Sequence, residues 1–248
     1  MPSSDKPAGF IEIKTQPDGT EILHPTSLCR GPWDADSCHA GPPNGAIARA
    51  AEQALPRLRL VRLTTEIMKP IPMAGFTLTA TVTKPGRTVA TSRIELRDLD
   101  EELIAVSHSA HLASRTRQPD IPTISIDPIP LEASTPGPFV LDASRHGSVG
   151  FIDGVETRYP DGHDNSTGPT SIWLRTVPIF TNAPASGFQQ ICPLADCGVV
   201  GANATATPPE GAEGDKAERL WAEHVIHDAL ATCGPVGAQV CTAAQRQE

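Results

Sequence analysis

A helix lined with small residues, followed by runs of alternating polarity, occupies residues 42–112 and leaves few folds open. Pro42-Pro43 suits a first helical turn, where a missing N–H costs nothing. Ile47, Ala51, Leu55 and Leu58 then recur at helical spacing, with Ala46, Ala50 and Ala54 beside them. So small a face lets a sheet approach the helix and wrap it. The strands that follow have a period of two. Val61, Leu63, Thr65 and Ile67 face one way, and Arg62, Thr64 and Glu66 the other. Pro70 and Pro72 break the chain; Phe76, Leu78, Ala80 and Val82 then oppose Thr77, Thr79, Thr81 and Thr83. Pro85-Gly86 turns into Thr88–Leu96, whose phase shifts near Thr91 as at a bulge. The acidic turn Asp98 to Glu102 leads into Leu103–Leu112. Upstream, residues 9–23 read as an opening strand pair around Pro17-Asp18-Gly19. One helix against a curled antiparallel sheet is an α+β layer arrangement.

The rest of the chain reads as a partial repeat of this unit. The expected organisation is a first domain over 1–114, a proline-rich linker over 115–146, a partial second unit over 147–203 and a divergent tail over 204–248. Val149–Tyr159 and Ser171–Phe180 read as strands, and Ser186 as the cap of a short helix running toward Asp196. After Asn203 no alternating strand is evident, and Ala217–Leu230 reads as a helix. That loss of pattern has the form of a frameshift, a truncation or strong divergence. It predicts unpaired edges, and with them self-association or a mobile tail after residue 203.

Composition excludes some partners. A formal charge of −9 argues against nucleic acid or an anionic membrane surface. The segment Met1 to Ala8 lacks the apolar core of a signal peptide, and no apolar run reaches the ~20 residues of a membrane span. A soluble cytoplasmic protein with free thiols is expected, its six cysteines being scattered without a repeating pattern.

The segment Cys29-Arg-Gly-Pro-Trp-Asp-Ala-Asp-Ser-Cys-His-Ala-Gly-Pro-Pro-Asn-Gly-Ala-Ile-Ala-Arg-Ala-Ala-Glu52 resembles the start of the helix in TesB-like acyl-CoA thioesterases, which are tandem (double) hotdog proteins. Arg62-Leu-Thr-Thr-Glu-Ile-Met-Lys-Pro-Ile-Pro72 and Lys84-Pro-Gly-Arg-Thr-Val89 resemble the next strand signatures, and Ser171-Ile-Trp-Leu-Arg175 and Leu194-Ala-Asp-Cys-Gly198 belong to the same pattern. The resemblance covers about residues 9–202. It implies hydrolysis of an acyl-CoA thioester, within fatty acid metabolism, without a cofactor or metal. It further implies an aspartate on a second-half helix that activates water, supported by a Ser or Thr and a Gln from later strands. Asp196 occupies the matching position; its partners are expected after residue 203, where Thr205, Thr207, Gln239, Gln245 and Gln247 sit in no recognisable motif. The chain departs from the family's His-Gly-Gly with His39-Ala40-Gly41.

Hydrolysis needs a base, a water and donors for the developing oxyanion. The helix N-terminus near Gly41–Gly45 supplies N–H donors, so His39, Gly41, Asn44 and Gly45 are the substrate-binding candidates. The plainer reading of Gly41 and Gly45 is tight packing, and of His39 a loop cap. His108 and His111 read as structural, and Arg87 as solvent-facing or salt-bridged rather than bound to coenzyme A phosphates. The spacing of His224, His227, Cys233 and Cys241 fits no common zinc site. A catalytically silent acyl-binding or scaffold protein is the alternative. Hydration of an enoyl thioester would need the loosely placed Asp34-Ala-Asp36-Ser-Cys-His39.

Overall fold

The computed structural model describes residues 7–114, 131–139, 149–163, 172–195, 232–234 and 237–240. Two antiparallel strands come first, Ile11–Thr15 (β1) and Glu21–Pro25 (β2). At their turn Gly19 takes φ +89°, and the Asp18 carboxylate accepts the Thr20 N–H at 2.9 Å. The helix spans Gly41–Ala54 (α1), with Pro42 and Pro43 in its first turn. It stops short of the expected Leu58 because Pro56 disfavours helical geometry at Leu55, whose φ and ψ are -134° and 61°.

Four strands follow: Arg59–Ile67 (β3), Phe76–Lys84 (β4), Val89–Asp98 (β5) and Leu103–Leu112 (β6). With β1 and β2 they form one antiparallel sheet in the order β1-β2-β4-β5-β6-β3. Ala46, Ile47, Ala48 and Ala51 of α1 are buried, as are Ala90, Ile94 and Leu96 of β5 and Ala105 of β6. Helix α1 packs on β3, β4 and β5. This is the hotdog arrangement, made possible by the small residues on the helix.

Two local features refine the strand pattern. The register slips between Leu60 and Arg62; Leu60 is buried and Val61 is 44% exposed. The phase shift expected near Thr91 is a bulge on the facing strand, between Val82 and Lys84, which pair with Ser92 and Thr91.

The same compact unit takes in residues 149–155 and 176–193. Here Phe151–Gly154 forms a short 3-10 turn where an extended strand was expected. The N–H groups of Phe10 and Ile11 donate to Pro178 and Ile179. A second helix, Gly187–Ala195 (α2), follows; the N–H of Gln189 donates to Ser186 Oγ at 3.2 Å, the cap expected from sequence.

A second sheet combines Thr135–Pro136 (β7), Val155–Tyr159 (β8), Ile172–Thr176 (β9), Thr232–Gly234 (β10) and Gly237–Val240 (β11), in the order β10-β11-β9-β8-β7. Strands β10 and β11 correct the expectation of no strand after residue 203: Cys233 pairs with Ala238, and Ala238 with Leu174. Strands this short, joined through Gly234 and Gly237, are too brief to display an alternating pattern. The helix expected over Ala217–Leu230 lies outside the described residues. No helix among the described residues is long and apolar enough to cross a membrane.

Candidate functional site

The two ends of α1 hold most of the polar chemistry near the helices. At its N-terminal end the loop from Cys29 returns on itself: the His39 N–H donates to the Cys29 carbonyl at 2.7 Å, and the Cys38 N–H to Ile71 at 2.8 Å. The His39 ring lies flat on that of Phe151, with centroids 3.8 Å apart and planes 2° from parallel. The Gly41 N–H donates to His39 Nδ1 at 3.2 Å. With Nδ1 an acceptor, the neutral ring carries its proton on Nε2, which makes Nε2 a donor.

Asn44 sits one turn further on. Its Nδ2 donates to the Ala40 carbonyl at 3.1 Å, and its Oδ1 accepts from Thr65 Oγ1 at 2.6 Å. Thr65 in turn lies 2.9 Å from Ser107 Oγ on the neighbouring strand β6. The amide is thereby fixed by both a helix and a sheet.

Gly41 and Gly45 are both buried, and each is a point of close packing. A Cβ on Gly41 would lie 2.7 Å from Pro193 Cα. One on Gly45 would lie 3.1 Å from the Gln189 carbonyl and 3.1 Å from Ile179 Cδ1. The glycines let α2 lie directly against α1.

The opposite end of α1 carries a constellation that sequence reasoning missed. Both carboxylate oxygens of Glu52 lie 2.9 Å from Ser186 Oγ, which donates to them, and Gln189 Nε2 donates to Glu52 Oε2 at 2.5 Å. Burial, then the charge of Glu52, pushes the Cys192 thiol up to about 12. Glu52 also acts on His111, but burial dominates there and lowers its proton affinity. His111 is fully buried and lies 2.9 Å from Ser109 Oγ through Nε2, the structural role expected for it.

Asp196 lies outside the described residues, as do Thr205, Thr207, Gln245 and Gln247. His224, His227 and Cys241 do too. Gln239 falls on β11, where it pairs with Trp173. Asp34 is taken up by its own loop, accepting the Asp36 N–H at 3.1 Å and the Ser37 hydroxyl at 2.9 Å. Arg87 and His108 are exposed. Cys29, Cys38 and Cys192 are free thiols. Burial, then the neighbouring Cys38, pushes the Cys29 thiol well above its usual range.

Residues 29–126 match the family model of the acyl-CoA thioesterase N-terminal domain. Among solved structures, the chain is similar to a provisionally assigned thioesterase II from Thermobifida fusca YX, at 14% identity and a TM-score of 0.54, over 75% of this chain and 68% of that one. It is also similar to the tesB protein of Mycobacterium avium subs paratuberculosis, at 15% identity and a TM-score of 0.47, over 74% of this chain and 65% of that one. A conserved protein with hot dog fold from Alicyclobacillus acidocaldarius aligns at 16% identity and a TM-score of 0.49, over 65% of this chain and 59% of that one. No curated protein matches.

Proposed function

We propose, on the premise that residues 29–126 form an acyl-CoA thioesterase N-terminal domain, that the chain hydrolyses acyl-CoA to a free acid and coenzyme A. In this reading Asp196 takes a proton from the attacking water. The substrate carbonyl lies at the N-terminus of α1, near Gly41 and Gly45, with His39 and Asn44 as the side chains that bind it. One observation beyond the family match supports it. Pro193, three residues before Asp196 in the chain, packs directly on Gly41, the residue that begins α1. The helix that leads toward the proposed base thus meets the helix end that binds substrate. Stacking on Phe151 and the bond from Gly41 orient the His39 ring beside that helix end.

The protein works in this proposal as a soluble cytoplasmic homo-oligomer, on small-molecule thioesters and without a cofactor. Free-thiol release from a panel of acyl-CoA substrates tests the reaction. The wild type should release thiol, and Asp196→Asn should lower kcat by about 100-fold or more, the usual weight of a positioned base. Unchanged kcat in that variant would remove Asp196 from the chemistry. A folded wild type that binds acyl-CoA but releases no thiol would make the chain a silent binder.

A further inference from the structure

The Glu52 end of α1 repeats, with different residues, the ingredients expected around Asp196: a carboxylate, a hydroxyl and a glutamine amide. Building on the thioesterase reading, we propose that Glu52, Ser186 and Gln189 form a second thioester-hydrolysing site at the N-terminus of α2, with Glu52 as the base of its water.

Three observations carry this. The first is the state of the carboxylate. Glu52 is bonded by Ser186 and Gln189, and no lysine or arginine pairs with it among the described residues. Arg49, on the same helix, is held by Glu21 instead. Among the described residues Glu52 Oε1 accepts only from Ser186, which leaves it a lone pair for a water.

The second is an orphaned acceptor. Gln189 is 6% exposed, and its Oε1 has no partner among the described residues. Buried carbonyl oxygens almost always hold a donor, protein or water. Because Nε2 of the same amide is committed to Glu52, whatever donates to Oε1 is held beside the carboxylate. A water giving one hydrogen to Glu52 Oε1 and the other to Gln189 Oε1 satisfies both groups.

The third is access. Gly187, the first residue of α2, is exposed, and among the described residues nothing beyond its chain neighbours and its own helix backbone lies within 4 Å of where its Cβ would be. A thioester can approach there, and the N–H groups of Gly187 and Phe188, ahead of the one Ser186 caps, favour the charge that develops on its oxygen. The water oxygen bonds to the carbonyl carbon while Glu52 takes its proton. The C–S bond then breaks, and that proton passes from Glu52 to the departing thiolate. The products are the free acid and the thiol, and the carboxylate is restored.

Two measurements on the full chain decide the matter. The first is a calorimetric count of sites for a non-hydrolysable thioether analogue of acyl-CoA. Two per wild-type chain, and one in Gly187→Trp, supports the second site; one per wild-type chain overturns it. The second is thiol release by Asp196→Asn and by Asp196→Asn/Glu52→Gln, each with a melting curve. The residual turnover should fall about tenfold or more in the double variant. Equal turnover, with only a lower Tm, would make Glu52 a clamp between the helices and overturn the proposal. If Glu52→Gln does not fold, the site count in Gly187→Trp still decides. Wild-type turnover with a single binding site refutes this site alone; no turnover from any substrate refutes the thioesterase reading along with it.

Discussion

The two ends of α1 differ in how they meet α2. At the N-terminal end the contact is steric: a glycine at position 41 brings Pro193 within 2.7 Å of where a side chain would begin. At the C-terminal end it is polar, a carboxylate bridged to a hydroxyl and an amide. Shape and hydrogen bonding fail in different ways. A clash is felt at every pH and moves backbone, whereas a polar junction responds to charge and to what water can replace. The same helix pair is therefore held by a contact that tolerates no enlargement and by one whose hydrogen bonds can be exchanged.

The steric end should yield the larger stability effect. Gly41→Ala sets a methyl against the backbone of Pro193, which has no flexible tip to move aside, and should cost about 1–3 kcal/mol. Gly45→Ala meets Ile179 side-chain atoms at 3.1 and 3.2 Å as well as the Gln189 carbonyl, and isoleucine can give. Its loss should be the smaller of the two. Urea denaturation of both variants checks the order, and equal stabilities would mean that the helices do not meet through these glycines.

How far these ends could be read in advance differs as well. The sheet was legible because β3 to β6 alternate over nine or ten residues each, long enough for a period to show. Even the bulge opposite Thr91 left a trace, as a change of phase. The end of α1 was misread, since helical spacing continues through Leu55 and Leu58 while Pro56 stops the helix. His39, Gly41, Asn44 and Gly45 could be singled out because they lie together in the chain at a helix start. Glu52 could not: Ser186 is 134 residues away and Gln189 137, and neither spacing is a motif. The hairpin of β10 and β11 was missed for the opposite reason, being too short to carry a pattern.

The polar end should respond to pH through His111. Burial lowers its proton affinity in the folded chain below the ordinary value of 6.5, against smaller opposing pulls from the Leu58 backbone and then from Glu52. The unfolded chain then binds the extra proton first as pH falls. The stability His111 contributes is complete above the ordinary histidine range and is lost as pH falls through it. Melting temperatures between pH 8 and 5 should decline, and His111→Gln should flatten that part of the decline. An identical pH profile in the variant would assign the dependence to other groups.

The smallest effect is expected midway along α1, where neither end's geometry applies. Arg49 Nη1 and Nη2 donate to the two carboxylate oxygens of Glu21 at 2.6 and 3.0 Å, and its guanidinium carbon lies 5.6 Å from the centre of the Phe180 ring. The bidentate bond holds the Glu21 carboxyl below its usual range, through hydrogen bonding first and charge second. The stability it adds is present above the ordinary glutamate range and is lost as pH falls through the lowered value. With Glu21 still partly solvated, Glu21→Gln should cost about 0.5–1 kcal/mol at neutral pH. It should cost little at low pH, where Glu21 is itself protonated. Salt separates this pair from both ends of the helix. Raising the ionic strength should shrink the Glu21→Gln effect and leave that of Gly41→Ala unchanged, because a charge pair near solvent is screened and a steric clash is not. If both effects shrink together, Gly41 does not act through a steric contact.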